Sequence, residues 1–247
     1  MTPTVLVHGN PETPALWDPL VVHLQRDVVR PAPPGFGAPL PAGFGATVPE
    51  YRDWLVGELE RLGEPVDLVG HDWGGVHVVA VAMARPDLLR SWVSDAVGVF
   101  DEDYRWHDLA EQWQQPGVGE ESIAQLLGGS AADKAARLVS FGFPPATAEQ
   151  VAAGQDDDMG RAVLALYRSA AQPVMAEAGR SLEAAAARPG LALLASEDAF
   201  VGTDAQRRRA AGRAGARVEV LDGLGHWWMV QDPQRSAAVL ERFWAGL

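Results

Sequence analysis

Short apolar runs alternate with longer segments in which apolar residues recur every three or four positions. The runs are rich in Val and Leu, which is typical of strands buried on both faces of a sheet. They cover residues 4–7, 27–30, 66–69, 91–97, 191–195 and 217–221. The helical segments cover residues 15–24, 48–62, 74–85, 204–214 and 233–244. This alternation predicts an α/β fold, with a mostly parallel sheet of about six strands flanked by helices.

The alternation stops between residues 100 and 187, where strand-like runs are missing. Trp, His, Gln and acidic residues mix there with Ala-rich helical stretches at 131–140 and 160–171. We therefore expect a helical cap over 100–187, inserted between a first part of the α/β core at 1–99 and a second part at 188–247. A Pro- and Gly-rich segment at 31–49 predicts a long loop, which either walls a pocket or only connects two elements.

Composition and charge exclude several classes of protein. The chain has 247 residues, of which 47% are hydrophobic, and a formal net charge of -13, so it is globular and repels phosphates and anionic membranes. Nucleic acid is therefore not an expected partner. The absence of cysteine excludes disulfides and thiolate nucleophiles. Among the 20 basic residues Lys134 is the single lysine, which we attribute to genomic bias rather than to function.

No segment of the sequence predicts a membrane protein. The first seven residues have no basic region typical of a signal peptide. The longest apolar run, 76–84, is short and contains His77, so we expect no membrane span. A cytoplasmic location is the expectation, and the sequence leaves a homodimer open.

The strongest chemical signal is Gly-His-Asp-Trp-Gly-Gly at 70–75, between a predicted strand and a predicted helix. Glycines at both ends permit a tight, strained turn that exposes the side chain at its centre, Asp72. An aspartate here would also suit a helix N-cap. A carboxylate, with an ordinary pKa of about 3.9, is ionised at pH 7 and attacks saturated carbon without a base. The motif therefore predicts that Asp72 forms an alkyl ester with its substrate.

Hydrolysis of such an ester needs a base, an acid that orients the base, and donors for the oxyanion. His226, in a Gly-flanked loop after the last predicted strand, is the candidate base. Asp198, just past the fifth predicted strand, is the preferred orienting acid, and Asp95 in the fourth is the alternative. The backbone amides of Asn10 and Trp73 are the candidate oxyanion donors, because each follows the carboxyl end of a predicted strand.

In chain order, His-Gly-Asn-Pro at 8–11, the motif at 70–75, Asp198 and Gly-His-Trp-Trp at 225–228 resemble the α/β-hydrolase superfamily. They are most similar to its branch with an aspartate nucleophile, the epoxide hydrolases and haloalkane dehalogenases. The resemblance covers nearly the whole chain. It implies the α/β-hydrolase fold with an inserted helical cap, a small apolar substrate, and neither metal nor cofactor. Family members usually have two strands before the first motif, so we expect a sheet that is smaller at one edge.

Two reactions remain open within that branch. In epoxide hydrolases, two side chains of the cap donate protons to the ring oxygen, and the product is a vicinal diol. The segment around Tyr167 resembles the cap helix that carries one donor. His107, 60 residues earlier, is the preferred second donor ahead of Tyr104 and Trp106.

In haloalkane dehalogenases, the halide is bound by the Trp that follows the nucleophile and often by the Asn of the first motif. Trp73 and Asn10 match these positions, and Asp95 lies where some dehalogenases keep their acid. The segment after His226 resembles epoxide hydrolases more closely, so an epoxide hydrolase is the favoured expectation and a haloalkane dehalogenase the alternative. A different hydrolase or a ligand-binding protein is the third.

Overall fold

The structure is a computed structural model that describes residues 2–247. Six strands form one sheet in the order β2-β1-β3-β4-β5-β6, and every neighbouring pair is parallel. The strands are β1 (Thr4–Val7), β2 (Val28–Val29), β3 (Val66–Gly70), β4 (Leu89–Ser94), β5 (Gly190–Ala195) and β6 (Ala216–Leu221). The predicted α/β fold and its six strands are therefore confirmed. All residues of β1, β3 and β5 are buried, as their apolar composition predicts.

Helices cover the sheet and fill the long connection between β4 and β5. The α-helices are α1 (Asp18–Val21), α2 (Val48–Leu62), α3 (Trp73–Ala84), α4 (Asp108–Gln114), α5 (Val118–Leu127), α6 (Ala131–Ser140), α7 (Pro145–Ala153), α8 (Asp157–Ser169), α9 (Val174–Ala178), α10 (Asp204–Arg213), α11 (Trp228–Gln231) and α12 (Pro233–Ala245). Short 3-10 helices lie at Pro14–Trp17, Pro86–Leu88, Val97–Phe100 and Gly179–Ala187. Among residues 2–247, no helix combines the length and the apolar character that crossing a bilayer requires.

One hydrophobic core lies on each face of the sheet. Successive residues of a strand point to opposite faces, so Leu68 belongs to one core and Val69 to the other. Helices between β4 and β5 contribute to both cores. Trp113 of α4 joins the core of Leu68, while Leu138 of α6 joins the core of Val69. This connection is thus packed against both faces of the sheet.

Several element bounds differ from those expected. The predicted strand at 91–97 begins earlier and ends at Ser94, whose hydroxyl donates to Gly75 O and accepts from Ala96 N as the chain turns. The predicted helix at 15–24 is a 3-10 turn followed by the four residues of α1.

The loop after β2 has a structural role. It has one isolated bridge, between Pro34 and Ala38, and otherwise no strand or helix before α2. Its Phe36 packs against Tyr51 of α2 with ring centroids 5.9 Å apart, and the Tyr51 hydroxyl donates to Pro34 O at 2.7 Å. The loop therefore anchors α2 to the core.

Candidate active site

The turn from β3 to α3 holds Asp72 in a strained conformation, with φ of 50° and ψ of -123°. Backbone conformations of this kind cost about 1–3 kcal/mol for a residue other than glycine. A Cβ at Gly70 would lie 2.3 Å from Gly74 O, and one at Gly74 would lie 2.1 Å from Val7 O. The close approach of β1, β3 and α3 therefore requires both glycines, and it holds the Asp72 carboxylate at the carboxyl edge of the sheet.

The predicted oxyanion donor on the first loop contacts the candidate nucleophile. The backbone N–H of Asn10 donates to Asp72 Oδ2 at 2.9 Å. A Cβ at Gly9 would lie 2.4 Å from the same oxygen, so glycine is needed for this approach. The amide thus already binds the oxygen on which negative charge would develop when an ester at Asp72 is attacked. Trp73, the second predicted donor, begins α3 directly after Asp72.

His226 and Asp198 lie beside Asp72. His226 Nδ1 is 2.9 Å from Asp198 Oδ2, and His226 Nε2 is 3.9 Å from Asp72 Oδ1. Burial by itself would lower the pKa of His226, but the carboxylates of Asp198 and Asp72 raise it to about 10. Burial opposes ionisation of Asp198, but the His226 charge outweighs it and lowers the pKa of this carboxyl to about 2. The resting site therefore contains an imidazolium between two carboxylates.

Asp95, the alternative orienting acid, has other partners. Its Oδ2 lies 2.6 Å from His71 Nδ1 and accepts the Trp228 indole N–H at 2.6 Å. Its Oδ1 accepts the backbone N–H of Asp72 at 2.9 Å. Asp95 therefore stabilises the turn that carries Asp72, whereas Asp198 is the carboxylate that lies within hydrogen-bond distance of His226.

Glu12 is a buried acid beneath the site that the sequence analysis missed. Its Oε2 accepts the Gly9 N–H at 3.1 Å, and its Oε1 accepts the Trp227 indole N–H at 2.8 Å. Oε1 is also 3.9 Å from His71 Nε2. Burial raises the pKa of Glu12 above its ordinary value. A single Glu after a Gly-Asn-Pro turn has no distinctive spacing, so only its position directly after the first motif could have drawn attention to it.

His71 is the second residue without a predicted role. Its ring lies 4.6 Å from that of His226, centroid to centroid. One ligand atom from each of Glu12, His71 and His226 lies within 4.8 Å of the others, so these three side chains could hold a cation, but only if His226 first lost its proton. Because the three groups are close together and buried, a change in the protonation of one of them changes the pKa of the others.

The two predicted cap donors line the pocket that contains Asp72 and His226. This pocket encloses about 700 Å³, including the space at its mouth. Tyr167 of α8 faces the side chains of Asn10 and Trp73. Burial, assisted by the charge of Asp72, raises the pKa of Tyr167 well above its ordinary value, so the hydroxyl keeps its proton.

His107, which also lines this pocket, caps the N-terminus of α4. Its Nδ1 accepts the Ala110 N–H at 3.2 Å, which assigns the proton of the neutral ring to Nε2. Burial lowers the pKa of His107, so the ring is neutral near pH 7. The side chain is therefore held as a neutral N–H donor that lines the pocket.

The other candidate donors of the cap are already engaged. The Tyr104 hydroxyl donates to Phe200 O at 2.9 Å, and the Trp106 indole N–H donates to Ala170 O at 3.1 Å. By contrast, the buried carboxamide of Asn10 makes no hydrogen bond of ordinary length within residues 2–247, although it lies close enough to the Tyr167 hydroxyl to stabilise the ionised form of that group. Its free N–H group is a donor next to Asp72 for an incoming or departing group. No residue of the predicted loop at 31–49 lines this pocket, although Val48 and Pro49 at its end line a second pocket beside α2.

Comparisons with known proteins bear on fold and family. The sequence profile described as "Alpha/beta hydrolase family" matches residues 4–239. A search of curated protein sequences found no match.

Solved structures resemble the whole chain at low sequence identity. Haloalkane dehalogenase DbeA from Bradyrhizobium elkani USDA94 is 21% identical with a TM-score of 0.71, and the match covers 100% of this chain and 92% of that one. E-2-(acetamidomethylene)succinate hydrolase is 19% identical with a TM-score of 0.75, covering 99% and 91%. The thioesterase domain from the curacin biosynthetic pathway is 15% identical with a TM-score of 0.74, covering 98% and 91%. Their names describe different reactions, so these likenesses define the fold alone.

Proposed function

Because the chain belongs to the alpha/beta hydrolase family, we propose that it hydrolyses epoxides to vicinal diols through an ester on Asp72. The observation that carries this proposal is the pair of proton donors, Tyr167 and His107, on the pocket that also contains Asp72 and His226. An epoxide oxygen leaves carbon as an alkoxide and must receive a proton, whereas a halide leaves as a stable anion. Two neutral proton donors in one apolar pocket therefore favour epoxide opening over halide displacement.

In the first step, Asp72 Oδ1 attacks a carbon of the epoxide and the ring C–O bond breaks. The ring oxygen takes a proton from Tyr167 while His107 donates a hydrogen bond. Asp72 Oδ2 remains on the Asn10 amide, which fixes the carboxylate orientation. The product of this step is an ester whose formation removes the negative charge of Asp72.

Before the second step, His226 passes its resting proton to the Tyr167 phenolate. The neutral imidazole then takes a proton from water, and the hydroxide attacks the ester carbonyl carbon. Loss of the Asp72 charge lowers the pKa of His226, because that carboxylate is one of the groups that raise it in the resting state. The tetrahedral oxyanion forms on Oδ2, which the Asn10 amide binds. Collapse releases the diol and restores the Asp72 carboxylate, with the proton from water left on His226 as in the resting site. The helical cap at 100–187 contributes the two donors.

Haloalkane dehalogenation is the second candidate, and one observation favours it. The Asn10 carboxamide is buried without a hydrogen bond of ordinary length in the described chain, and both it and the Trp73 indole lie near the Tyr167 hydroxyl. An amide N–H and an indole N–H are suitable donors to a halide. The same Asp72–His226 pair would then displace the halide and hydrolyse the ester to an alcohol.

The covalent step is tested with His226→Gln, which keeps the nucleophile but lacks the base. Incubation with a styrene oxide-type epoxide should add the full mass of the epoxide to the peptide that contains Asp72. A 1-bromoalkane would instead add the alkyl group with loss of bromide. The Asp72→Asn variant is the control and should show neither adduct. Failure to trap either ester would contradict a nucleophilic Asp72.

The two reactions are separated by a matched pair of substitutions. Tyr167→Phe removes one proton donor and should lower epoxide kcat by about 10²-fold, the usual contribution of a general acid. Asn10→Ala leaves the backbone amide on Asp72 in place and should abolish activity on bromoalkanes only if the side chain binds halide. Unchanged epoxide turnover in Tyr167→Phe would contradict the epoxide hydrolase proposal.

A further inference from the structure

Besides His226, two basic side chains of the connection between β4 and β5 line the pocket of an otherwise strongly acidic protein. Lys134 and Arg137 lie one turn apart on α6, so their side chains share a face of the helix. Both are partly exposed. Most of the remaining pocket wall is apolar and includes Leu109, Trp113 and Phe200. The single lysine of the chain thus lines the candidate active site, a placement that genomic bias does not account for.

Neither cation is paired with an acid of this protein. Lys134 Nζ donates to Gln155 O, and Arg137 Nη2 donates to the carbonyl oxygens of Leu126 and Gly128 at 2.9 and 2.7 Å. Within residues 2–247, no carboxylate oxygen lies within 4 Å of either charged group. Most other basic side chains of the chain do form such pairs, as Arg168 does with Glu120. The nearby Asp133 carboxylate bonds Ser130 at the start of α6, and it interacts with Arg137 only through the more distant charge that helps to lower the pKa of Asp133.

The charges of the pocket are separated, with a carboxylate at its base and two basic side chains on α6. At its base, Asp72 carries a negative charge that repels an anionic group. On α6, two positive charges without acidic partners attract one. An apolar molecule with an anionic end would therefore bind in one direction, with its anion at α6 and its uncharged end at Asp72. This orientation would bring the reacting carbon to the nucleophile and offset the repulsion of a chain with net charge -13.

We propose that the site takes amphipathic substrates, namely apolar chains that carry the epoxide at one end and a carboxylate at the other, with the carboxylate bound by Lys134 and Arg137. The epoxide part rests on the proposed function. The anion subsite does not, because it can be measured with an unreactive ligand. Lys134 carries the test, since Arg137 also holds the carbonyl oxygens at the end of α5 and its loss would disturb the fold.

The binding experiment compares octanoate with octanamide, which have the same chain length and differ in charge, by isothermal titration calorimetry. A partly exposed ion pair changes affinity by up to roughly fivefold, so two cations should favour octanoate by about tenfold or more. Lys134→Met should remove about fivefold of that preference, and Lys134→Arg should retain it. Arg180→Met, an exposed position outside the pocket, removes the same charge and should leave the preference unchanged.

The turnover experiment compares 9,10-epoxydecanoate with its amide. The wild type should show a KM about tenfold lower for the carboxylate at similar kcat, and Lys134→Met should lose most of that difference. Equal binding of octanoate and octanamide by the wild type, or an unchanged preference in Lys134→Met of normal thermal stability, overturns the anion subsite. Charge-dependent octanoate binding without turnover of any epoxide would instead overturn the proposed function and leave the subsite standing.

Discussion

The charge of His226 depends on two carboxylates, chiefly that of Asp198 and then that of Asp72. In the resting site, Asp198 and Asp72 together raise the pKa of His226 to about 10 against the effect of burial. Such a histidine is protonated at pH 7 and cannot accept a proton. In the proposed reaction, esterification would neutralise Asp72 and so lower the pKa of His226 after the first covalent step. The electrostatics of these three side chains would then favour the proposed order of the two steps.

Replacing Asp72 by Asn imitates the uncharged ester and should lower the pKa of His226. A histidine whose pKa is raised in the folded protein stabilises the fold. This contribution is fully present below the unfolded pKa of 6.5, and it is lost as the pH rises through the folded pKa, which is about 10 in the wild type. In Asp72→Asn, the same loss should occur at lower pH. Urea unfolding between pH 6 and pH 10.5 measures this shift.

A control for this titration is Asp53→Asn, which removes an exposed acid on α2 far along the chain from the site. Its pH dependence should follow that of the wild type. The tyrosines also ionise in the unfolded chain at high pH, but they do so equally in every variant. If Asp72→Asn and the wild type lose stability over the same pH range, Asp72 does not control the charge of His226.

At the scale of elements, the nucleophile turn depends on how closely β1, β3 and α3 approach one another. Parallel strands joined by a helix bring their carboxyl ends to one edge, where loops carry function. Glycine at 74 allows α3 to begin against the backbone of β1. The strain at Asp72 persists because these neighbouring elements leave the turn no other conformation.

Two glycines on neighbouring helices should respond oppositely to alanine. At Gly74 a Cβ would meet Val7 O at 2.1 Å, so Gly74→Ala should destabilise the protein by about 1–3 kcal/mol and displace Asp72. At Gly57, inside α2, a Cβ meets nothing within 4 Å, so Gly57→Ala should stabilise it by about 0.5–1 kcal/mol. Urea denaturation and kcat measure both. Equal stability of the two variants would contradict this packing.

At the scale of the whole molecule, the helices between β4 and β5 are integral to both cores. Trp113, Ile123 and Leu127 share one core with the sheet, and Leu138 and Val151 share the other. The proposed catalytic side chains come from turns after β3, β5 and β6, while the proposed donors come from this helical connection. The proposed site therefore needs both parts of the chain.

The shared cores predict one cooperative unfolding transition despite the length of the chain. Far-UV circular dichroism, tryptophan fluorescence and residual hydrolytic activity should give the same denaturant midpoint. Tryptophans lie in both regions, for example Trp92 in β4 and Trp106 before α4, so fluorescence reports on each. Loss of activity and fluorescence well before the loss of secondary structure would indicate that the helical connection unfolds separately.

The local sequence alone determined the strands and the turn at Asp72, because both depend on residues that are close together in the chain. Val- and Leu-rich runs must be buried on both faces, which predicted the six parallel strands, and flanking glycines marked the strained turn at Asp72. The predicted strand at 91–97 failed at its end because side-chain hydrogen bonds of Ser94 turned the chain away, which no periodicity records.

Only the tertiary structure decided which distant groups meet. Asp95 and Asp198 are both acids near strand ends, and the fold brings Asp198 to His226 while it commits Asp95 to His71 and Trp228. Glu12 gains its importance from burial beneath the site rather than from spacing. A contact between residues far apart in the chain depends on how strands and helices are ordered in space, and that order is set by the packing of the whole core.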